Sequence, residues 1–473
     1  MIEDLKKFIE YLMSKGRVVE IEEEVDSNLE VTAFTDETCK EKSNKTLFFK
    51  NIKGYDIPVV TNLFASKLTL SELFDKNYAI ELLNSLNNIN MNIKKLSLLK
   101  SVKLLNSFEP KIIENKKDYR KYIKLENLDK LPILKVWPKD AGKFITQPLV
   151  ITQSPIDNSL NIGIYRMQVY DKLTTGMHWQ SLKGGAIHAS EAKDKNVNIN
   201  TSVVIGTDPY NILSAIAPLP HGFNEFSFSG LMRDSKTLLM KNGKYPPVPL
   251  NSEIIINGYV NPKELRIEGP FGDHTGYYSI REEYPVFHVE EIYTKDKPIY
   301  SASIVGWPRN EDANIGLFFV DIFKPLLKAL DNSIVDIYMP PEGNFTNTCF
   351  VSIKKRFPGQ AKKIMFSILG SSQLSFSKII IVFDDDIDIK DLSSVMWALS
   401  TRIDPQRDIT IIPNTFTDSL DHTTNLPSFG SKILIDATKK THDEGYYREW
   451  PDVISLPEEL IKKVEEKWKN LKK

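Results

Sequence analysis

The run FVSIKKRFPGQAKKIMFSILGSSQLSFSKIIIVFDDD, Phe350 to Asp386, changes periodicity twice. FVSIKKR reads as a strand, PGQAKKIMFSILGS as a helix opened by proline and closed by glycine, and KIIIVFDDD as a buried strand ending in acids. IKDLSSVMWALSTR follows as a second helix and ITIIPN as a further strand. Strand–helix alternation of this kind predicts an α/β unit with a mostly parallel sheet. The acids Asp384, Asp385 and Asp386 fall where such sheets bind ligands, but a solvated βα loop is the plainer reading.

Upstream of about residue 315 the texture differs. Between about 130 and 305 short apolar or alternating runs recur (PLVITQSP, LNIGIYRMQVY, NTSVVIG, EIIINGYV, FHVEEIY, IYSASIVG), punctuated by Gly, Pro, Asn and Asp. They predict a β-rich barrel or sandwich. At the start, Leu5, Phe8, Ile9 and Leu12 recur at helical spacing before Gly16, and VVEIEEEVD, TLFFKNI and DIPVVTNLF read as strands of a small α+β domain. Residues 78–117, rich in Leu, Asn and Lys, read as a helical connector. LPEELIKKVEEKWKNLKK at the end reads as an amphipathic helix packed on its own core or on a neighbouring subunit.

The chain has 473 residues, enough for two or three domains. Lys+Arg is 61 against Asp+Glu 62, a net charge of −1, which gives no global footprint for nucleic acid or an anionic membrane. MIEDLKKFIEYL lacks a signal peptide's apolar block, and no apolar run is long enough to span a bilayer. The two cysteines, Cys39 and Cys349, exclude a Cys-rich zinc site. The expected location is cytoplasmic, with any metal held by oxygen and imidazole ligands.

Three clusters could carry chemistry. In NIGIYRMQVYDKLTTGMHWQSLKGGAIH, Asn161 to His188, Arg166 sits in an apolar run. By strand alternation Asn161, Gly163, Tyr165 and Met167 share one face, and Arg166 shares the other with Ile164 and Gln168. A charge there needs a partner or a ligand; a surface or ion-paired arginine is the plainer reading. Thr175-Gly176-Met177-His178-Trp179 and Lys183-Gly184-Gly185 add an imidazole, an indole, an amine and backbone N–H groups, a set that suits a planar, phosphorylated cofactor. In HGFNEFSFSGLMR, His221 to Arg233, Glu225 is flanked by aromatics. It is either a solvated loop acid or, with Asn161 and an imidazole, part of a Mn²⁺ or Mg²⁺ site.

The third cluster is EGPFGDHTGYY, Glu268 to Tyr278, a shaped loop with two acids and no serine or cysteine nucleophile. Two carboxylates can split into an ionised and a protonated member for proton delivery. Glycosidases also use acid pairs, so the pair alone names no reaction.

Together these clusters resemble the UbiD family of non-oxidative decarboxylases, which use prenylated FMN. The likeness also takes in the early LTL…LF region, MPPEG, VFDDDID, WALSTRIDPQRD, GSKILIDATKK and REWP, in the family's order. It implies a small N-terminal α/β domain (1–115, including the connector), a central split β-barrel of flavin-reductase type (116–310) and a C-terminal α/β domain (311–473) reached by a long helix. It implies Arg166, Glu268 and Asp273 as catalytic residues, Asp273 siding with the polyprenyl-hydroxybenzoate branch. Cofactor contacts fall on Ile164, Tyr165, Arg166, His178, Trp179, Gln180, Lys183, Gly184 and Lys432, and metal ligation on Asn161 and Glu225. Relatives carry histidine where this chain has Leu182, so His178 is the expected third metal ligand.

The resemblance further implies Mn²⁺ or another divalent cation, with K⁺ as an additional ion, a flavin prenyltransferase as cofactor supplier, and a homo-oligomer. The expected activity is reversible decarboxylation of an aromatic or α,β-unsaturated acid. Quinone or isoprenoid synthesis would supply a polyprenyl-hydroxybenzoate-type or anhydromevalonate-phosphate-type acid. Small phenolic acids, a flavin- or metal-binding relative without catalysis, and a metal-dependent hydrolase are the alternatives. Decarboxylation leaves charge on carbon that a protein cannot stabilise unaided, which explains the missing nucleophile: the cofactor supplies the covalent partner.

Overall fold

The computed structural model describes residues 2–41, 43–74, 107–113, 121–180, 183–219, 223–307, 311–328 and 331–471. Most of the expected connector, and Leu182, lie outside them.

The N-terminal helix Leu5–Ser14 forms as its spacing predicts. Asp4 caps it by accepting from Lys7 N at 2.8 Å, and Leu5, Phe8, Ile9 and Leu12 are buried. Gly16, at φ 65°, lets the chain turn out of the helix. Beside it lies a four-stranded sheet in the order Val18–Val25, Thr46–Ile52, Val59–Thr61, Tyr300–Ala302. The last strand comes from the far end of the β-rich segment and pairs in parallel with Val59–Thr61.

The central sheet runs Thr174–Gly176, Glu282–Thr294, Ile254–Glu268, Ile199–Ile205, Leu149–Gln153, Leu160–Ile164, with Ile123–Leu125 pairing on Glu282–Thr294. Every ladder along this path is antiparallel. The path is open, so among the described residues the expected barrel is not closed. The expected alternation through NIGIYRMQVY also stops: Leu160–Ile164 pairs with Leu149–Gln153, whereas Met167–Gln168 pairs with Phe144–Ile145. The chain changes sheets at Tyr165 and Arg166, and that break releases Arg166 from ladder geometry.

In the C-terminal segment the sheet order is Ile334–Tyr338, Thr348–Ile353, Ile379–Asp384, Phe429–Ala437, Ile409–Phe416. The three inner strands are parallel and both edges antiparallel, so the sheet is mixed rather than mostly parallel. Each edge strand runs against its inner neighbour, and edge reversal of this kind is common in α/β sheets. The 18-residue helix Glu311–Lys328 leads into this sheet. Its apolar side joins Leu5, Phe8, Tyr210 and Leu231 in a core shared by the N-terminal helix and the helices Pro209–Ile216 and Glu225–Met232.

Asp386 is forked by Arg402 at 2.8 and 2.9 Å, and Lys439 adds a third contact at 2.9 Å. The acidic strand end is thus a structural ion cluster. The final helix Glu458–Leu471 forms, but its residues are exposed, which removes the expectation that it packs on its own core. No helix of the described residues is long and apolar enough to cross a membrane. Cys39 and Cys349 are buried free thiols.

Candidate active site

Arg166, at the sheet change, gathers the acids of the glycine-rich loop. Its Nε donates to Glu268 Oε1 at 2.9 Å, one terminal nitrogen donates to Asp273 Oδ2, and the other reaches Ser279 Oγ at 3.2 Å. The guanidinium lies 4.9 Å from the centre of the Phe271 ring. The three charged side chains come from positions 102 and 107 residues apart in sequence and are almost wholly removed from solvent. Buried charges of this kind persist only where they are paired.

The loop is held from outside by residues that sequence reasoning passed over. Gly269 N donates to Gln168 Oε1 and Gly272 N to Asp140 Oδ1, both at 2.8 Å, while Phe271 N reaches Ser279 Oγ at 3.2 Å. At Gly272 a Cβ would come within 2.2 Å of the Trp137 ring, so the backbone must approach there. Gln168 was the legible one, since it shares the Arg166 face in an apolar run.

His178 belongs to the same cluster: its Nδ1 lies 2.9 Å from Glu268 Oε1 and its ring 4.2 Å from that of Tyr284. Burial opposes charge on Glu268, but His178 and Arg166 outweigh it and hold the carboxyl below its usual range. Burial likewise opposes charge on Asp273, and His274 and Arg166 together hold its carboxyl well below that range. Both acids are therefore anions at neutral pH. Glu268 Oε2 and His178 Nε2 are buried with no hydrogen-bond partner among the described residues, so the cluster keeps unsatisfied polar atoms for a ligand.

Asn161, Tyr165, Gly184, Trp179 and Glu225 form an adjoining group. Tyr165 links it to Arg166 and accepts from Gly185 N at 3.2 Å. At Gly184 a Cβ would lie 1.8 Å from Asn161 Oδ1, and at Gly185 one would lie 2.5 Å from Trp179 Nε1, itself a buried donor without a partner. The two glycines therefore open the start of helix Gly184–Lys195 to close approach, a cradle of N–H groups suited to an anion. Glu225 opens helix Glu225–Met232, which Asn224 caps through Phe226 N at 2.9 Å. Burial pushes its carboxyl up to about 7, and no cationic side chain pairs with it among the described residues. Below that helix, Arg233 pairs with Asp208 at 2.6 Å and fixes its far end.

Gln180, Lys183 and Lys432 lie towards the C-terminal segment. Gln180 Nε2 donates to Ser419 Oγ at 3.0 Å, and the Lys183 ammonium sits 5.5 Å from the Phe376 ring centre. Lys432 donates to Ser377 O at 2.8 Å, and burial draws its amine down to about 8 despite Asp418 and Asp421 nearby. Ile164 closes its strand and packs on the apolar cluster around Phe226.

Asn161 and Glu225 are oxygen donors that fit a hard divalent cation, and a buried carboxylate lacking a cation is what such an ion would neutralise. His178 is engaged by Glu268 instead. Among the described residues no group of three or more His, Cys, Asp or Glu is placed to hold a metal.

Three family profiles cover most of the chain: the 3-octaprenyl-4-hydroxybenzoate carboxy-lyase N-terminal domain at residues 9–85, its Rift-related domain at 111–308 and its C-terminal domain at 313–437. An uncharacterized protein of Archaeoglobus fulgidus is 45% identical over 99% of this chain and 98% of its own length. Among solved structures, vanillic acid decarboxylase of Sedimentibacter hydroxybenzoicus in its closed form is 27% identical with a TM-score of 0.84, covering 100% of this chain and 99% of that one. The fold also matches the UbiD-class enzyme HmfF of Pelotomaculum thermopropionicum, in an evolved dimeric form in complex with prFMN, at 23% identity and a TM-score of 0.79 over 96% and 97% of the two chains. With every major segment matched in order, the chain belongs to the UbiD family of carboxy-lyases.

Proposed function

We propose that the protein is a prenylated-FMN-dependent, reversible decarboxylase of an aromatic or α,β-unsaturated carboxylic acid. The observation that carries the reading is Arg166 bound at once to Glu268 and Asp273, with Glu268 Oε2 left unsatisfied. A binding protein without catalysis would not need two buried anions on one guanidinium, each costly to desolvate. The cofactor, once bound, supplies the electron sink that takes up charge as CO₂ departs.

This chain's residues do the rest. Arg166 orients the substrate carboxylate and couples the two acids, and Asp273 hands a proton to the carbon that lost CO₂. Gly184, Gly185 and Lys183 would hold the cofactor phosphate, with Lys432 behind them and Tyr165, Trp179, His178, Ile164 and Gln180 around the ring system. Asn161 and Glu225, with His178 as a further candidate, would hold Mn²⁺ or a similar cation, neutralising the phosphate. K⁺ is a second candidate ion. We read the open central sheet as the family's split barrel and keep 1–115, 116–310 and 311–473 as the domains.

The vanillic acid decarboxylase likeness supports aromatic acids as the first substrates to assay. Polyprenylated hydroxybenzoates and phosphorylated unsaturated acids, of quinone and isoprenoid synthesis respectively, come next. A cytoplasmic homo-oligomer supplied by a flavin prenyltransferase completes the proposal. The test is to co-produce the chain with such a prenyltransferase, record the bound flavin's absorption and measure CO₂ release across the three classes of acid. A protein that binds no flavin, or binds it and releases CO₂ from none, overturns the reading.

A further inference from the structure

In the proposed reaction a carbon must be protonated, yet both acids next to Arg166 are anions in this arrangement. A proton source must lie behind one of them. His274 occupies that place: its Nδ1 is 2.9 Å and its backbone N 2.7 Å from Asp273 Oδ1, the oxygen that Arg166 does not take. Its ring is also coupled electrostatically to Asp312, a half-buried residue at the start of helix Glu311–Lys328. The atoms His274 Nε2 and Asp312 Oδ2 are shielded from solvent, and neither has a hydrogen-bond partner among the described residues. Phe345 packs on the imidazole at 5.6 Å, and Asp418, just past strand Ile409–Phe416, acts on it electrostatically.

We infer that His274, backed by Asp312, is the proton-supplying residue for this reaction and acts through Asp273. The inference rests on the decarboxylase reading. The steps balance without any other reactant. The imidazolium's Nδ1–H bond breaks as Asp273 Oδ1–H forms; the Asp273 O–H bond then breaks as the substrate C–H forms. His274 is left neutral, keeping its Nε2–H, and Nδ1 regains its proton from solvent through Asp273 once the product has left. The electrostatics agree: burial works against charge on His274, but Asp273, with Asp312 and Asp418 behind it, lifts its pKa to about 9. Burial pushes Asp312 up to about 6, and the nearby His274 works against that rise.

The first test needs neither cofactor nor substrate. Histidine ¹⁵N resonances of the full chain are followed against pH, with His274 assigned by its loss in His274→Asn. A midpoint near 9 that falls by a unit or more in Asp312→Asn is expected; a midpoint at or below the ordinary value of about 6.5 overturns the inference. With the flavin-loaded enzyme, the wild-type kcat profile should lose activity at high pH as His274 gives up its proton. His274→Asn should remove that limb and lower kcat by roughly 100-fold, with the flavin spectrum unchanged. His274→Gln serves if the asparagine variant folds poorly. Persistence of the alkaline limb, an unchanged kcat or loss of flavin binding would each reject proton supply by His274. Absence of CO₂ release from the wild type would instead reject the decarboxylase reading, leaving the histidine titration as a separate result.

Discussion

Replacing Arg166 by Met tests whether one guanidinium is what allows two carboxylates to share a buried site. The side chains of Arg166, Glu268 and Asp273 are 9%, 0% and 11% exposed. Met keeps a long apolar stem against Phe271 but removes the donors of all three polar contacts. Removing one member of a buried pair costs about 3–5 kcal/mol, because the other charge stays behind uncompensated. Two acids lose a partner here, yet Glu268 keeps His178 and Asp273 keeps His274, so the range is not doubled. For a cooperative unit of roughly 200 residues, at about 2–4 °C per kcal/mol, Tm should fall by roughly 6–20 °C at pH 7.5.

The pH dependence gives the sign. Carboxyls held low in the folded state add stability above their unfolded pKa of about 4, and that stability is lost as pH falls through the folded value. Without Arg166, burial pushes the same carboxyls up, so the variant suffers most at neutral pH and recovers as they take up protons. Thermal unfolding of cofactor-free wild type and Arg166→Met should therefore diverge at pH 7.5 and converge towards pH 5. An equal drop at both pH values, or one under roughly 3 °C at pH 7.5, would show that the charges are not coupled as described.

Glu225→Gln removes a carboxylate that burial pushes up to about 7, with no cationic side chain paired to it among the described residues. The metal-free variant should be more stable than wild type by on the order of 1–3 kcal/mol at pH 8, the gain fading as pH falls towards 4, and should lose any Mn²⁺-induced rise in Tm; a retained Mn²⁺ response would exclude Glu225 as a ligand. In Gly184→Ala the new Cβ would sit 1.8 Å from Asn161 Oδ1, so Asn161 must move. Overpacking of about 1–3 kcal/mol should weaken FMN binding roughly five- to 200-fold, read by flavin fluorescence, and unaltered binding would count against this cradle. Cys39 and Cys349 are buried and pushed up to about 12, so a thiol reagent should label neither until the chain is unfolded; rapid native labelling would contradict their burial.

What could be read from the sequence was what local periodicity encodes. Leu5, Phe8, Ile9 and Leu12 announced a helix, and the alternation after Phe350 announced an α/β unit, because each pattern lies within a dozen residues. Sheet order is set by contacts remote in sequence. Nothing in IYSASIVG says that Tyr300–Ala302 leaves its neighbours to extend the N-terminal sheet beside Val59–Thr61. The mixed C-terminal sheet escaped for the same reason: a strand's direction depends on its connection, while its composition does not. At the site, a charge in an apolar run flagged Arg166. Its partners had to come from the family resemblance, since pairing across more than 100 residues leaves no local trace. Asp140, Ser279 and Asp312 carried no signal of their own, as isolated polar residues in loops or at a helix start look the same whether solvated or buried.

The paired charges also say when the proton should move. In the free protein Asp273 has two cations, Arg166 on Oδ2 and His274 on Oδ1, so it holds no proton and the donor is masked. A substrate carboxylate that takes up Arg166 weakens the first of these. Asp273's proton affinity then rises towards that of the imidazole 2.9 Å away, and transfer from Nδ1 to Oδ1 becomes favourable only when an acid is bound. The carboxylate destined to leave would thus arm its own proton donor, and an empty site would waste none. A non-reactive aromatic carboxylate added to flavin-loaded protein should shift the His274 ¹⁵N signals towards the neutral imidazole at pH 7.5, whereas the same ligand in Asp273→Asn should not. If saturating ligand leaves the wild-type signals unmoved, Arg166 does not link substrate binding to proton release, and the two acids must be filled by another route.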